Sequence, residues 1–313
     1  MSIDVTVVLA CHSMRRWESL CSALTSVLTQ TREPADVVVG VDHNPQLASA
    51  VRDRFPGVRV VLNDSGKRGA SATRNAAAGL ARSELIAFLD DDETADERWL
   101  DHLLAPFTDP SVVGTGGRYL PRWDAGRPRW FPDEFGWVIG AHHDGMPVST
   151  TVVRNVWSGN MAVRTGVFRR IGGFRTDFGK VGSASRPEDT DLCIRAARAS
   201  GGHWLYVPAA VIHHQVDASR STLRFFAHRC VAEGRGKVEM ARLLGDAATL
   251  DHERAYMRRT VPLGMLRHVA RGHISRASVM ALGVVCASWG VASAAGHRRV
   301  PPQRREPVAP SPV

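Results

Sequence analysis

The sequence predicts an α/β protein: a mostly parallel, Rossmann-like sheet flanked by helices, followed by a helical extension at the carboxyl terminus. Three observations carry this. Short apolar runs at 5–9, 36–41, 58–62 and 84–89 alternate with amphipathic or Ala-rich stretches, the pattern of strands buried on both faces and joined by helices. The fourth run ends in Asp90-Asp91-Asp92-Glu93, and open α/β sheets bind ligands at the carboxyl ends of their strands. From Arg220 onward the pattern turns helical and cationic, with 16 Lys or Arg against 6 Asp or Glu.

Taken in order, 5–9 (VTVVL) is a buried parallel strand and 17–30 an amphipathic helix with Leu20, Leu24, Val27 and Leu28 on one stripe. Residues 36–41 form a second strand that ends at Asp42-His43. A helix over 46–54 is closed by Pro56-Gly57, and 58–62 is a third strand. Asn63 to Gly69 is a loop carrying Lys67 and Arg68; 70–82 is an Ala-rich helix, and 84–89 the fourth strand. A helix over 96–105 and a strand over 111–120 follow. Residues 121–150, rich in Pro, Gly, Trp and His, read as a long loop of the kind that forms binding elements or lids. Trp123, Trp130 and Trp137 in it are either stacking platforms or buried anchors.

Further on, 152–164 is extended and 165–171 is a short helix stopped by Gly172-Gly173. Residues 178–186 read as flexible. Pro187 then opens a helix to about Ser200, with acids in its first turn. Residues 203–207 are a last short strand, and 209–214 carry the pair His213-His214. The stretch 277–296 has no charged side chain. It has the length of a membrane span, about 20 residues, but its Ser, Gly and Ala favour an interfacial or packed helix. The Pro-rich 301–313 reads as disordered. The expected division is a catalytic body over 1–219, a basic helical extension over 220–300 and a disordered tail over 301–313.

Asp90, Asp91 and Asp92 repel one another when they sit side by side. A hard divalent cation removes that conflict, because it takes oxygen ligands and often bridges carboxylate to phosphate. The other reading is a solvated acidic turn.

Charge is unevenly spread. The net is +9, yet the first 219 residues hold 24 basic and 25 acidic groups, so the surplus lies in the tail. Such a tail suits an anionic surface such as phospholipid head groups. It contains no recognisable nucleic-acid module, so no nucleic-acid partner is expected. The five cysteines are widely spaced without a C-x-x-C, which points to a reduced, cytoplasmic setting. The amino terminus enters a strand directly, with no signal-peptide pattern.

Three blocks in order resemble family-2 glycosyltransferases of the GT-A fold. They are Gly69-Ala70-Ser71-Ala72-Thr73-Arg74-Asn75 leading into FLDDDE; Gly159-Asn160-Met161-Ala162-Val163-Arg164 leading into Ile171-Gly172-Gly173-Phe174; and Glu188-Asp189-Thr190-Asp191-Leu192 leading into 207–213. The basic helical tail is similar to tails on actinobacterial members. The resemblance implies a nucleotide-diphosphate sugar donor and Mg²⁺ or Mn²⁺, while the basic tail would set the chain at the cytoplasmic membrane face, near a lipid-linked or cell-envelope acceptor. Asp90 and Asp92 match the first and third places of the family's D-x-D motif, with Asp91 between them, and His213 matches a histidine that completes the metal site. Asp189 and Glu188 match the catalytic acidic pair. Arg74 matches a donor-binding arginine, and Asn160 falls within the second of the family's blocks. Asp42 and Cys11 close the strands where the family contacts the nucleobase. There the chain departs from the family: the first strand ends Ala10-Cys11-His12-Ser13 rather than Pro-Thr-Tyr-Asn, and the second ends with one acid rather than two.

The chemistry agrees with the residue types. A departing nucleoside diphosphate gains negative charge, which a bridging cation neutralises. A positioned carboxylate such as Asp189 can accept the acceptor's proton. A single base without a nucleophilic partner suggests one displacement with inversion. Two other functions fit the fold: a nucleotidyltransferase on a similar sheet, and a non-catalytic protein that docks anionic partners through its tail.

Overall fold

The computed structural model describes residues 3–181, 184–186, 188–244 and 251–296. The first half builds the sheet by alternation. Strands β1 (Val5–Cys11), β2 (Asp36–Asp42), β3 (Arg59–Asn63) and β4 (Leu85–Asp90) are linked by α1 (Trp17–Leu28), α2 (Pro45–Arg54) and α3 (Ala70–Ala78). All four strands pair in parallel, in the order β3-β2-β1-β4. Local chemistry sets the helix starts. Asn44 accepts the Leu47 N–H at 3.0 Å and Pro45 supplies a preset φ at the first helical position of α2.

Thereafter come β5 (Glu93–Ala95), α4 (Trp99–Leu104), β6 (Val112–Trp123), β7 (Thr151–Val153), β8 (Asn160–Arg164) and α5 (Thr165–Arg170). A hairpin of β9 (Gly179–Val181) and β10 (Ala184–Arg186) follows, then α6 (Glu188–Ser200) and β11 (His203–Val216). The full sheet runs β3-β2-β1-β4-β8-β6-β11-β5, with β7 on β11. β8 is antiparallel to both β4 and β6, so the sheet is mixed rather than wholly parallel.

Period-two alternation splits the core. Val5, Val7 and Leu9 of β1 face α1, α2 and α4, joined by Leu20, Leu24, Leu47, Val51, Trp99 and Leu103. Val8, Val38, Ile86 and Phe88 face the other layer, where they meet α3, α5 and α6. Phe88 is fully buried with ring contacts to Phe168 at 5.6 Å and Phe174 at 5.3 Å. Truncating such a side chain to Ala costs about 3–5 kcal/mol.

Two sequence expectations change here. Residues 178–186, expected to be flexible, contain the β9–β10 hairpin. The two segments 203–207 and 209–214 are one strand, β11, whose register slips between Val207 and Val211.

The extension comprises α7 (Leu223–Leu244), α8 (Asp251–Ala255), a π-helical turn (Tyr256–Thr260), α9 (Val261–Ala270) and α10 (Ile274–Gly296). It forms a third core with the expected long loop. Phe131, Phe135, Val138 and Ile139 pack on Phe226, Cys230, Val261 and Met280. Trp123, Trp130 and Trp137 pack against this cluster, and the Trp137 indole donates to Tyr256 Oη at 3.1 Å. These tryptophans are anchors between loop and extension. Segment 301–313 lies outside the described residues.

Candidate active site

The sheet gathers its chemistry at one end. Parallel pairing sets Ala10 beside Asp90, and β2 ends next door at Asp42. The turn from β4 into β5 carries the acids, and it is folded by Glu93, whose Oε2 accepts the Asp90 N–H at 3.0 Å. Gly159 makes room for this buried glutamate: a Cβ there would lie 2.5 Å from Glu93 Oε2.

Carboxylate oxygens of Asp90, Asp92 and Glu93 lie within 4.8 Å of one another. Their surroundings differ. Burial would raise Asp92, but His214, Arg16 and Arg220 hold its carboxyl down at about 2. Arg16 Nη1 is 3.3 Å from Asp92; His214 Nε2 and Arg220 Nη2 are each 3.7 Å from it. Burial pushes Asp91 up to about 6, against the Arg16 guanidinium 2.6 Å away. Burial, then the charges of Asp90 and Asp92, drive Glu93 well above the usual carboxylate range. Three hard oxygen donors this close together, one of them a buried glutamate crowded by two aspartates, are a donor set for a divalent cation. Asp91 is the exception, since it turns inward to Arg16.

Arg74 ties this cluster to the second acidic block. It is buried, its Nη2 donates to Asp90 Oδ1, and its Nη1 lies 3.6 Å from Glu188 Oε1. Nη1 has no hydrogen-bond partner, which leaves a buried donor at the cleft. Burial, then the Glu188 charge, push the Asp189 carboxyl up to about 7, against the Thr190 N–H that donates to it at 2.6 Å. A cleft of about 430 Å³ joins these groups, lined by Arg74, Asp90, Trp157, Glu188, Asp189 and Lys237.

Four expected site residues stand elsewhere or are otherwise engaged. The His213 imidazole points away from the acids and meets Asp96 Oδ1 at 2.7 Å. The pleat is the reason: His214 pairs with Glu93 across β5, so successive side chains alternate and His214 is the one facing Asp92. Cys11 is buried with its thiol on the Gly40 carbonyl, and burial raises its pKa; it offers no surface to a base. Asn160 is fully buried. Its Oδ1 accepts the Trp99 indole N–H at 2.8 Å, and its amide donates to Arg118 O and Ala210 O. Asp42 accepts from Gly69 N at 2.9 Å, Asn63 Nδ2 at 3.0 Å and His43 Nδ1 at 2.8 Å. Both its oxygens thus hold the loop before α3.

The sequence reading also missed residues. Arg16 follows the first strand end, where a cation within reach of clustered acids was a usable signal. Arg220 and the α7 residues Arg229, Glu233 and Lys237 lie past residue 219, yet Arg220 meets Asp92 and the α7 trio lines the cleft. Lys67, in the loop before α3, donates to Thr176 Oγ1 at 3.1 Å.

A family model described as glycosyl transferase family 2 matches residues 6–172. A glucosyl-dolichyl phosphate glucuronosyltransferase of Haloferax volcanii is 32% identical over 261 residues, 82% of this chain and 82% of that protein. A pre-mycofactocin glycosyltransferase of Mycobacterium tuberculosis is 28% identical over 217 residues, 67% of this chain and 42% of that one. Among solved structures, the mannosyltransferase PcManGT from Pyrobaculum calidifontis, in complex with GDP-Man and Mn²⁺, superposes with a TM-score of 0.58. It is 14% identical, over 92% of this chain and 90% of that one. GalNAc-T7 with UDP, GalNAc and Mn²⁺ gives 0.53 at 16% identity, over 82% of this chain and 56% of that one. These two likenesses concern the fold.

Proposed function

Because the chain belongs to glycosyltransferase family 2, we propose that its cleft transfers a sugar from a nucleoside-diphosphate sugar to a hydroxyl of a lipid-linked or cell-envelope acceptor, with inversion at the anomeric carbon. The observation that carries this is the Arg74 bridge, which joins the Asp90 cluster and the Glu188-Asp189 pair in one cleft. Each block alone has a bland explanation; a shared wall does not. The acceptor class is supported by the relative whose name specifies glucosyl-dolichyl phosphate.

Asp90, Asp92 and Glu93 would hold Mg²⁺ or Mn²⁺, with the His214 imidazole beside Asp92. When bound, such an ion supplies positive charge against the departing diphosphate. The chain's own groups do the rest. Arg74 Nη1 makes no hydrogen bond and lies 3.6 Å from Glu188, so it has an N–H to offer a hydroxyl or phosphate oxygen of the nucleotide sugar. Asp189, in its ionised form, accepts the acceptor's proton as that oxygen attacks the anomeric carbon. The bond from that carbon to the phosphate oxygen breaks as the new one forms. Glu188 is engaged by Arg74 and so serves as neighbour rather than nucleophile. One base on one face is the arrangement of a single displacement.

On this reading the body over 1–219 performs the transfer, while 220–300 faces an anionic membrane from the cytoplasmic side. α7 belongs to both, since it closes one wall of the cleft. Transfer assays with a panel of nucleotide sugars and polyprenyl- or dolichyl-phosphate-linked acceptors test the proposal, with the product's anomer assigned by NMR. An inverted product on a lipid-linked acceptor is expected. Retention would overturn the single displacement, and transfer only to water-soluble acceptors would overturn the acceptor class.

A further inference from the structure

The last two helices present an apolar face to solvent. On α9, Leu263, Leu266 and Val269 are 59%, 66% and 54% exposed. On α10, Ile274, Leu282, Val285 and Trp289 are exposed, with Val285 and Trp289 at 65% and 66%. The α10 set falls at spacings of three and four after Leu282, one stripe of a helix. α10 is the single helix among the described residues long and apolar enough to cross a membrane, and most of it is not buried inside the protein.

Its other face decides how it can meet a bilayer. Gly234 of α7 and Gly290 of α10 let the two backbones touch: a Cβ on Gly234 would lie 2.1 Å from Ala287 O, and one on Gly290 2.2 Å from Val231 O. Arg235 Nε donates to Ser293 Oγ at 3.1 Å, and Arg242 Nη2 to Ala294 O at 3.0 Å. α10 is therefore packed along its length on a helix that carries Arg229, Glu233, Arg235, Lys237 and Arg242. Drawing those charges into hydrocarbon is costly. A spanning α10 would have to leave α7; an α10 lying flat would not.

Charge identifies the occupant of the apolar face. Residues 254–296 contain six Arg and no Asp or Glu. Arg258, Arg259 and Arg271 are exposed, and the first two lie one turn before Leu263 on a continuous helical run. Arginines edging an apolar stripe match anionic head groups above acyl chains. We propose that the α9–α10 face lies in the interfacial plane of an anionic phospholipid bilayer, with α7 standing between that plane and the cleft. This deepens the membrane-facing reading above, on which it rests. It makes α7 the wall shared by the lipid surface and the transfer site.

The test needs no turnover, so its failure is separate from failure of the transferase reading. Full-length protein is sedimented with phosphatidylglycerol vesicles and with phosphatidylcholine vesicles. Binding to the first and at least about tenfold weaker binding to the second is expected, as is a similar loss for the Arg258→Glu/Arg259→Glu double variant. Leu263→Glu/Leu266→Glu should lose binding while keeping the wild-type circular dichroism. Depth is read with Val285→Trp in a Trp289→Phe background, against Trp289→Phe alone, using lipids brominated at shallow or deep acyl positions. Val285 sits near the middle of α10, so stronger shallow quenching is expected for a flat helix. Stronger deep quenching would overturn the proposal in favour of a span. Equal binding by all variants, or none by wild type, would also overturn it. So would a dimer in sedimentation velocity that dissociates in Leu263→Glu/Leu266→Glu, which would assign the face to a second copy.

Discussion

Arg74 donates to Asp90 and places its second amino group 3.6 Å from Glu188, so one buried cation binds two acidic blocks that are about a hundred residues apart in sequence. Arg74→Met removes the partner of both. The loss should be about 1–3 kcal/mol in stability, read by denaturant titration. Because a divalent ion would take over part of the charge on Asp90, Mn²⁺ should raise the melting temperature of Arg74→Met more than that of wild type.

His214 faces Asp92 whereas His213 is spent on Asp96. His214→Ala should weaken Mn²⁺ binding about 10–100-fold, the range for residues that support metal ligands. His213→Ala should stay within about twofold by the same calorimetric titration. The reverse ranking would restore the sequence expectation.

Asp189 sets a pH limb. Its carboxyl is pushed up to about 7 by burial and by Glu188, against Thr190 N–H, Lys237 on α7 and Arg74. A base must be ionised, so kcat/KM should fall as pH drops below about 7, and Asp189→Asn should lose about 10²–10⁴-fold together with that limb. Stability carries the opposite sign. The folded form holds this proton more tightly than the unfolded chain does, so its contribution is full below the unfolded value of 3.8 and is lost as pH rises towards about 7. The difference in melting temperature between Asp189→Asn and wild type should therefore grow across that window in favour of the variant.

Asn160 is a structural strut. Asn160→Ala would leave the Trp99 indole N–H and the carbonyls of Arg118 and Ala210 without their partner. Each buried orphan costs about 1–3 kcal/mol. A lowered denaturation midpoint with the donor KM within about twofold is expected; a raised KM with unchanged stability would return Asn160 to the donor site.

Much of this site could be read from the chain because its signals are local. An apolar run ending in clustered acids gives both the strand and its functional end, and Pro187 with Glu188 and Asp189 marks a helix start. What the sequence hid is relational. The choice between His213 and His214 depends on the phase of β11, which the slip between Val207 and Val211 resets. Cys11 and Asn160 look like site residues by position, yet the pleat turns both inward. Arg16 and Arg220 reach Asp92, and Lys237 reaches the cleft, through tertiary packing that no spacing in the sequence announces. α7 begins past residue 219 and still lines the cleft, a contact that the helical, cationic pattern from Arg220 onward does not announce.

In the proposed reaction Asp92 holds a divalent ion on which transfer depends. Transfer measured for wild type and Asp92→Asn, before and after EDTA and with Mn²⁺ restored, tests it most directly. EDTA should abolish wild-type transfer, Mn²⁺ should restore it, and Asp92→Asn should stay inactive with or without the ion. Near-wild-type, EDTA-insensitive transfer by Asp92→Asn would contradict it.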